Sequence, residues 1–160
     1  MTDALPPRSR LVHDALRAAG IDGEIRVLPD AASTAAQAAE ALGVPVGAIA
    51  NSLVFWSDGE PLLVMTSGAH RVDTTALAAR AGRGSIVRAS VDQVRAATGQ
   101  AIGGVAPTGH PHPLVTIVDE ALADHDELWA AGGTPHTLFP LTFPQLVAVT
   151  NGVVMKVAAD

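Results

Sequence analysis

The chain has 160 residues and no cysteine, which excludes disulfides, thiolate nucleophiles and cysteine-ligated zinc. Hydrophobic residues make up 48% against 16% charged, the balance of one folded domain over residues 1–160 rather than a disordered segment. A net charge of −6 disfavours the wrapping of DNA by the whole surface, and no apolar run nears the roughly 18 residues a membrane span needs. The start of the chain lacks the basic-then-apolar order of a secretion signal, so a cytoplasmic protein without membrane contact is expected.

Residues Ser9 to Ala19 carry Leu11, Val12, Ala15, Leu16 and Ala19 at helical spacing, with Gly20 as the stop. Only the first seven residues read as prone to fray. Glu24 to Leu28 alternates and predicts a short strand ended by Pro29. Thr34, with Gln37 three residues on, opens an alanine-rich helix that Gly43 closes; one face of it must pack closely on something. Asn51–Ser57 and Pro61–Thr66 are apolar runs joined by Asp58-Gly59-Glu60, a hairpin pattern. Asp73 caps a helix to Ala81, a strand follows around Ile86-Val87, and Ser90 with Gln93 caps a helix ending at Gly99. Beyond a glycine–proline loop come a strand at Leu114–Val118, a short helix at Asp126–Ala130 and a strand at His136–Leu141. Thr142 with Gln145 caps the last helix, which stops near Asn151-Gly152, and Val153–Val157 adds an edge strand. Helices and strands interleave irregularly around one hairpin, so the expected class is α+β with a mixed sheet.

Charge is unevenly placed. Residues 71–95 hold Arg71, Arg80, Arg83, Arg88 and Arg95 against Asp73 and Asp92, whereas Asp119, Glu120, Asp124, Asp126 and Glu127 form an acidic stretch. Two solvated helix faces account for this, and an arginine rim touching phosphates is the functional alternative. Lys156 is the only lysine.

The run Gly103-Gly104-Val105-Ala106-Pro107-Thr108-Gly109-His110 carries the chemistry most open to a function. Glycines allow close backbone approach and proline stiffens the loop, so its N–H groups can be aimed at a carbonyl or oxyanion. Spacing alone favours an ordinary turn; the company of the segments around Asn51, His70 and Gly133 points to more. His70, His110 and His136 are candidate proton handlers; His136 is favoured because it follows the Gly132-Gly133 turn. His110-Pro111-His112 with His136 would be three imidazoles, but no ordered metal-ligand motif is present and neither metal nor cofactor is expected. No Gly-x-Ser-x-Gly elbow or dinucleotide fingerprint occurs.

Four segments in order are residues 47–55 with Asn51-Ser-Leu-Val, 66–73 with His70-Arg-Val-Asp73, 101–110, and 131–136 with Gly132-Gly133. Together they resemble the YbaK/prolyl-tRNA-synthetase-associated domain family of aminoacyl-tRNA deacylases, over about residues 30–152. The resemblance implies one domain with a mixed, partly barrel-like sheet wrapped by helices. It implies an editing hydrolase that cleaves the ester of a mischarged transfer RNA, with aminoacyl-tRNA as partner and an aminoacyl-tRNA synthetase as a further candidate partner. By resemblance Gly104, Pro107 and Gly109 form the loop that holds the aminoacyl carbonyl and the terminal nucleotide, Gly133 lines the same pocket, and a substrate hydroxyl or amine assists. With the residues' own chemistry added, the candidate catalytic set is Asn51, Gly104 and His136, and the candidate substrate-binding set is His70, Arg71, Gly103, Pro107, Thr108, Gly109, His110 and Gly133.

Three positions depart from that pattern. Family members usually have lysine where this chain has Asn51, which offers two donors and no charge. Thr75 stands where relatives often place lysine, and the Gly133–Leu141 segment lacks an acidic side chain that some members possess. Arg71 is the nearest cation by sequence. The alternative implied by Asn51 is a binding module for aminoacyl-tRNA or nucleotide that no longer turns over; a small-molecule esterase is a third reading.

Overall fold

The structure is a computed structural model that describes residues 5–159. Helix α1 (Pro7–Ala18) starts with proline, whose absent N–H is no loss in a first turn. Leu5 is buried, so the expected fraying does not extend over residues 5–7; residues 1–4 lie outside the described residues. Strand β1 (Arg26–Val27) is short, and α2 (Ala35–Leu42) follows. Thr34 accepts from the Gln37 N–H, while the Gln37 side chain reaches back to the Ser33 amide, one residue before the cap. Gly43 ends α2 at φ +71.

Strands β2 (Ile49–Ser57) and β3 (Glu60–Ser67) form the central antiparallel hairpin. Asp58 and Gly59 both take positive φ, 53° and 84°, which gives the twist that a two-residue hairpin loop requires. Next come α3 (Thr74–Ala81), β4 (Val87–Arg88) and α4 (Val91–Thr98), with Asp73 and Ser90 as side-chain caps. Strand β5 (Val115–Asp119) then leads into a 3-10 turn at Glu120–Asp124. Strands β6 (Leu128–Ala131) and β7 (Thr137–Leu141), helix α5 (Phe143–Thr150) and strand β8 (Val153–Met155) complete the chain.

The helix expected at Asp126–Ala130 is strand instead, and the turn of helix lies upstream of it. Leu128 and Ala130 enter one core cluster and Trp129 another, so both faces of the run are buried. A short apolar run buried on both faces carries no period to tell helix from strand.

The strands join in one mixed sheet of order β1-β7-β6-β2-β3-β5-β8, with β4 attached to β2. The expected single-domain mixed α+β fold is what the chain adopts. Val12 and Leu16 of α1, Val94 of α4 and Leu146 of α5 cover the inner face with Ala50, Val54, Leu63 and Met65. On the outer face α2 covers Ile49, Trp129 and Leu138, while Leu77 of α3 covers Phe55, Leu62 and Val64.

Candidate active site

Strand β2 is bonded to β3 along one edge from Ala50 to Ser57. Its other edge is shared by two strands. Strand β6 pairs parallel at Ile49 and Ala50, and β4 pairs antiparallel at Phe55 and Trp56. Between them the sheet splits, and a cavity of about 250 Å³ opens beside Asn51–Val54. Its walls come from both faces of the sheet: Ala35, Ala38, Ile49 and Leu138 on the outer side, Val94 and Val105 on the inner side. Ala35 and Ala38 of α2 present only methyl groups to this space.

Asn51 lines this cavity half-buried, and its carboxamide makes no hydrogen bond among the described residues. Directly opposite it is Thr66, and opposite residues share a face. The Thr66 hydroxyl lies 3.4 Å from Asp119 Oδ2, so Asn51, Thr66 and Asp119 make a polar row across β2, β3 and β5. Asp119 is 1% exposed, although it belongs to the stretch that reads as solvated acids. Its Oδ2 also accepts from the Ser67 amide and meets His70 Nε2, and its Oδ1 accepts from the Ala121 amide. His70 is therefore held by a buried carboxylate one strand beyond Thr66. Arg71, next to it, is exposed.

The loop after α4 closes the cavity on another side. Gly103 and Val105 line it, and their amides have no partner among the described residues. The Gly104 amide is spent on Ala101 O, and the Ala106 amide on the buried Gln100 side chain. Gly104 is required by packing: a Cβ there would stand 2.4 Å from the Thr134 carbonyl carbon and 2.7 Å from Pro135 N. That contact seats the loop on the β6–β7 connection.

The remaining sequence-selected residues lie elsewhere. Pro107, Thr108, Gly109 and His110 line a second cavity of about 290 Å³ against α1 and α5. Gly109 packs on Val12 of α1, and Gly133 packs on Arg8. His110 Nε2 donates to Ala106 O over 2.7 Å, and burial pushes its pKa below the ordinary 6.5, partly offset by that backbone contact. His136 is exposed, with Nδ1 3.3 Å from Leu28 O at the β1–β7 edge. Among the described residues no three His, Asp or Glu side chains are grouped to hold a metal ion.

The sequence of this site has recognisable kin. The model of the aminoacyl-tRNA editing domain matches residues 29–149. The chain belongs to the aminoacyl-tRNA editing domain family. It is 29% identical to the uncharacterized protein YwhH of Bacillus subtilis, over 78% of this chain and 80% of that one. It is 31% identical to a proline–tRNA ligase of Maridesulfovibrio salexigens over 62% of this chain, which spans only 17% of the ligase. A solved structure described as "a putative trans-editing enzyme for prolyl tRNA synthetase" superposes with a TM-score of 0.90 at 39% identity, covering 98% of this chain and 100% of the other.

Within this editing domain the sequence reading overlooked Arg88, Ser52 and Asp119. Arg88 is the cation at the cavity, exposed on β4 and stacked 5.9 Å from the Phe55 ring. It was visible only as one of five arginines in residues 71–95. Arg83 pairs with Glu60 and Ser57, and Arg80 with the carbonyls of Lys156 and Ala158, so those two serve the fold.

Proposed function

We propose that this editing domain hydrolyses the ester of an aminoacyl-tRNA at the terminal ribose, in the cavity of the split sheet. The observation that carries the reading is the union of Asn51 with the unspent amides of Gly103 and Val105 around one cavity. Its volume of about 250 Å³ equals room for about eight waters, enough for an aminoacyl group and part of a ribose. Larger ligand pockets begin near ~300 Å³, so most of the nucleotide rests outside.

In this reading water attacks the acyl carbonyl, and the tetrahedral oxyanion is received by the Gly103 and Val105 amides. The ribose oxygen leaves with a proton, giving the free amino acid and deacylated tRNA. A substrate hydroxyl or amine relays that proton, since among the described residues no side-chain nucleophile and base pair lines the cavity. Asn51 donates from its carboxamide to the acyl or ribose oxygens where relatives use lysine. Arg88 faces the adjoining phosphate, with His70 and Arg71 further along the strand. The physical need is that synthetase pockets separate small side chains by only about 1–3 kcal/mol, so a second hydrolytic site removes errors.

The test is a panel of mischarged transfer RNAs incubated with the protein and with Asn51→Lys, following loss of the ester. Release of one or a few amino acids supports the reading, and Asn51→Lys is expected to raise turnover by about tenfold, the worth of a charge-assisted bond. Retention of aminoacyl-tRNA on a filter with no release by either protein replaces the hydrolase by a binding module. Turnover of free esters without RNA replaces it by a small-molecule esterase.

A further inference from the structure

The split in the sheet leaves particular main-chain groups exposed to the cavity, and their identity follows from strand parity. In a strand the N–H and C=O of one residue point to the same edge, and neighbours alternate. The Ile49 carbonyl accepts from the Gly68 amide, on the β3 side. Ile49, Asn51, Leu53 and Phe55 thus spend their backbones on β3. The Val54 carbonyl accepts from the Ala89 amide, on the opposite edge. Ala50, Ser52, Val54 and Trp56 accordingly face β6 and β4.

Strand β6 pairs only as far as Ala50–Ala130, and β4 only from Phe55–Arg88 onward. Three groups on that edge are left unpaired among the described residues: the Ser52 N–H, the Ser52 C=O and the Val54 N–H. Ser52 and Val54 both line the cavity. The gap is closed at both ends by paired strand, so no peptide strand can run through it. It admits one residue.

We infer that Ser52 binds the aminoacyl group as the missing residue of an antiparallel pair, its C=O accepting from the substrate α-amine and its N–H donating to the acyl carbonyl. An α-aminoacyl ester has the required set, one N–H donor and one C=O acceptor two bonds apart, as any residue of a strand does. Directly paired residues share a face. Ser52 lies on the inner face, where its hydroxyl meets Met65 Sδ at 3.2 Å. An L side chain is therefore directed to the wall of Ala89, Val94 and Val105, and a D side chain to the opposite wall. The site takes an L-aminoacyl group whose α-amine is free and rejects acyl groups without the amine. This rests on the hydrolase reading for its substrate, but its test is binding, not turnover.

The probes are adenosines carrying at the 3′ position a non-hydrolysable L-alanyl amide, D-alanyl amide or propionyl amide, titrated while backbone amide resonances are followed. The L-alanyl compound is expected to bind about tenfold tighter than the propionyl one, the worth of a hydrogen bond to a charged group, and to move the Ser52 and Val54 amide signals. Ser52→Pro removes the N–H that donates to the acyl carbonyl but keeps the C=O that receives the amine, at an edge position where proline is tolerated; it should weaken the L-alanyl and propionyl compounds alike, whereas Ser52→Ala should leave both unchanged. Equal binding of L-alanyl and propionyl compounds to the unaltered protein overturns the inference, even if Ser52→Pro fails to fold. Binding that leaves the Ser52 amide unmoved, or no binding at all, overturns it too. Ester turnover on tRNA is measured separately: its presence without the amine preference keeps the hydrolase and removes the pairing.

Discussion

Gly104 shows how one missing atom sets the site. A methyl there meets the Thr134 and Pro135 backbone, which cannot swing aside as a side chain can. Gly104→Ala is expected to cost about 1–3 kcal/mol by overpacking, read as a lower urea midpoint, and to displace the Gly103 and Val105 amides from the cavity. His110 makes a second residue-scale case, this time of pH. Burial holds its pKa below 6.5, so the folded state disfavours the charged ring. The stability this contributes is complete above pH 6.5 and is lost as pH falls through the lower folded value. Urea midpoints measured on either side of pH 6.5 should decline on the acid side, and His110→Gln should flatten the decline.

At the scale of elements, the bonds of Thr66 and Ser67 to Asp119 tie β3 and β5 to the His70 loop. Asp119→Ala leaves the Ser67 and Ala121 amides without their acceptor, while the Thr66 hydroxyl keeps the Ser67 carbonyl. Each buried group left unsatisfied costs about 1–3 kcal/mol, so this variant should unfold at markedly lower denaturant than Asp119→Asn, which keeps an acceptor oxygen. The helices are simpler. Thr34, Asp73, Ser90 and Thr142 each accept a first-turn amide, and each cap is worth about 1 kcal/mol. Those four starts were legible because the capping side chain, joined in three of them by a third-position glutamine, is local in sequence. The Leu128–Ala131 strand was not, since only its neighbours show that both of its faces are covered.

For the molecule as a whole, a net charge of −6 and a site with few cations predict modest, salt-sensitive affinity for RNA. Arg88→Gln should weaken binding of aminoacyl-tRNA at low salt and reduce the slope of log affinity against log salt by about one, as loss of one phosphate contact does. Measurement at several salt concentrations checks both. The mixed fold and the central hairpin could be read from residue order, because hydrophobic period, caps and turn residues act over a few positions, and the family could be read from the resemblance of four ordered segments. The placing of the cavity was decided in three dimensions. It exists because β6 and β4 claim different lengths of one edge of β2, and a split between strands far apart in sequence leaves no local mark. The same long-range packing sent Gly109 and Gly133 against α1 and brought Arg88, rather than Arg71, to the mouth.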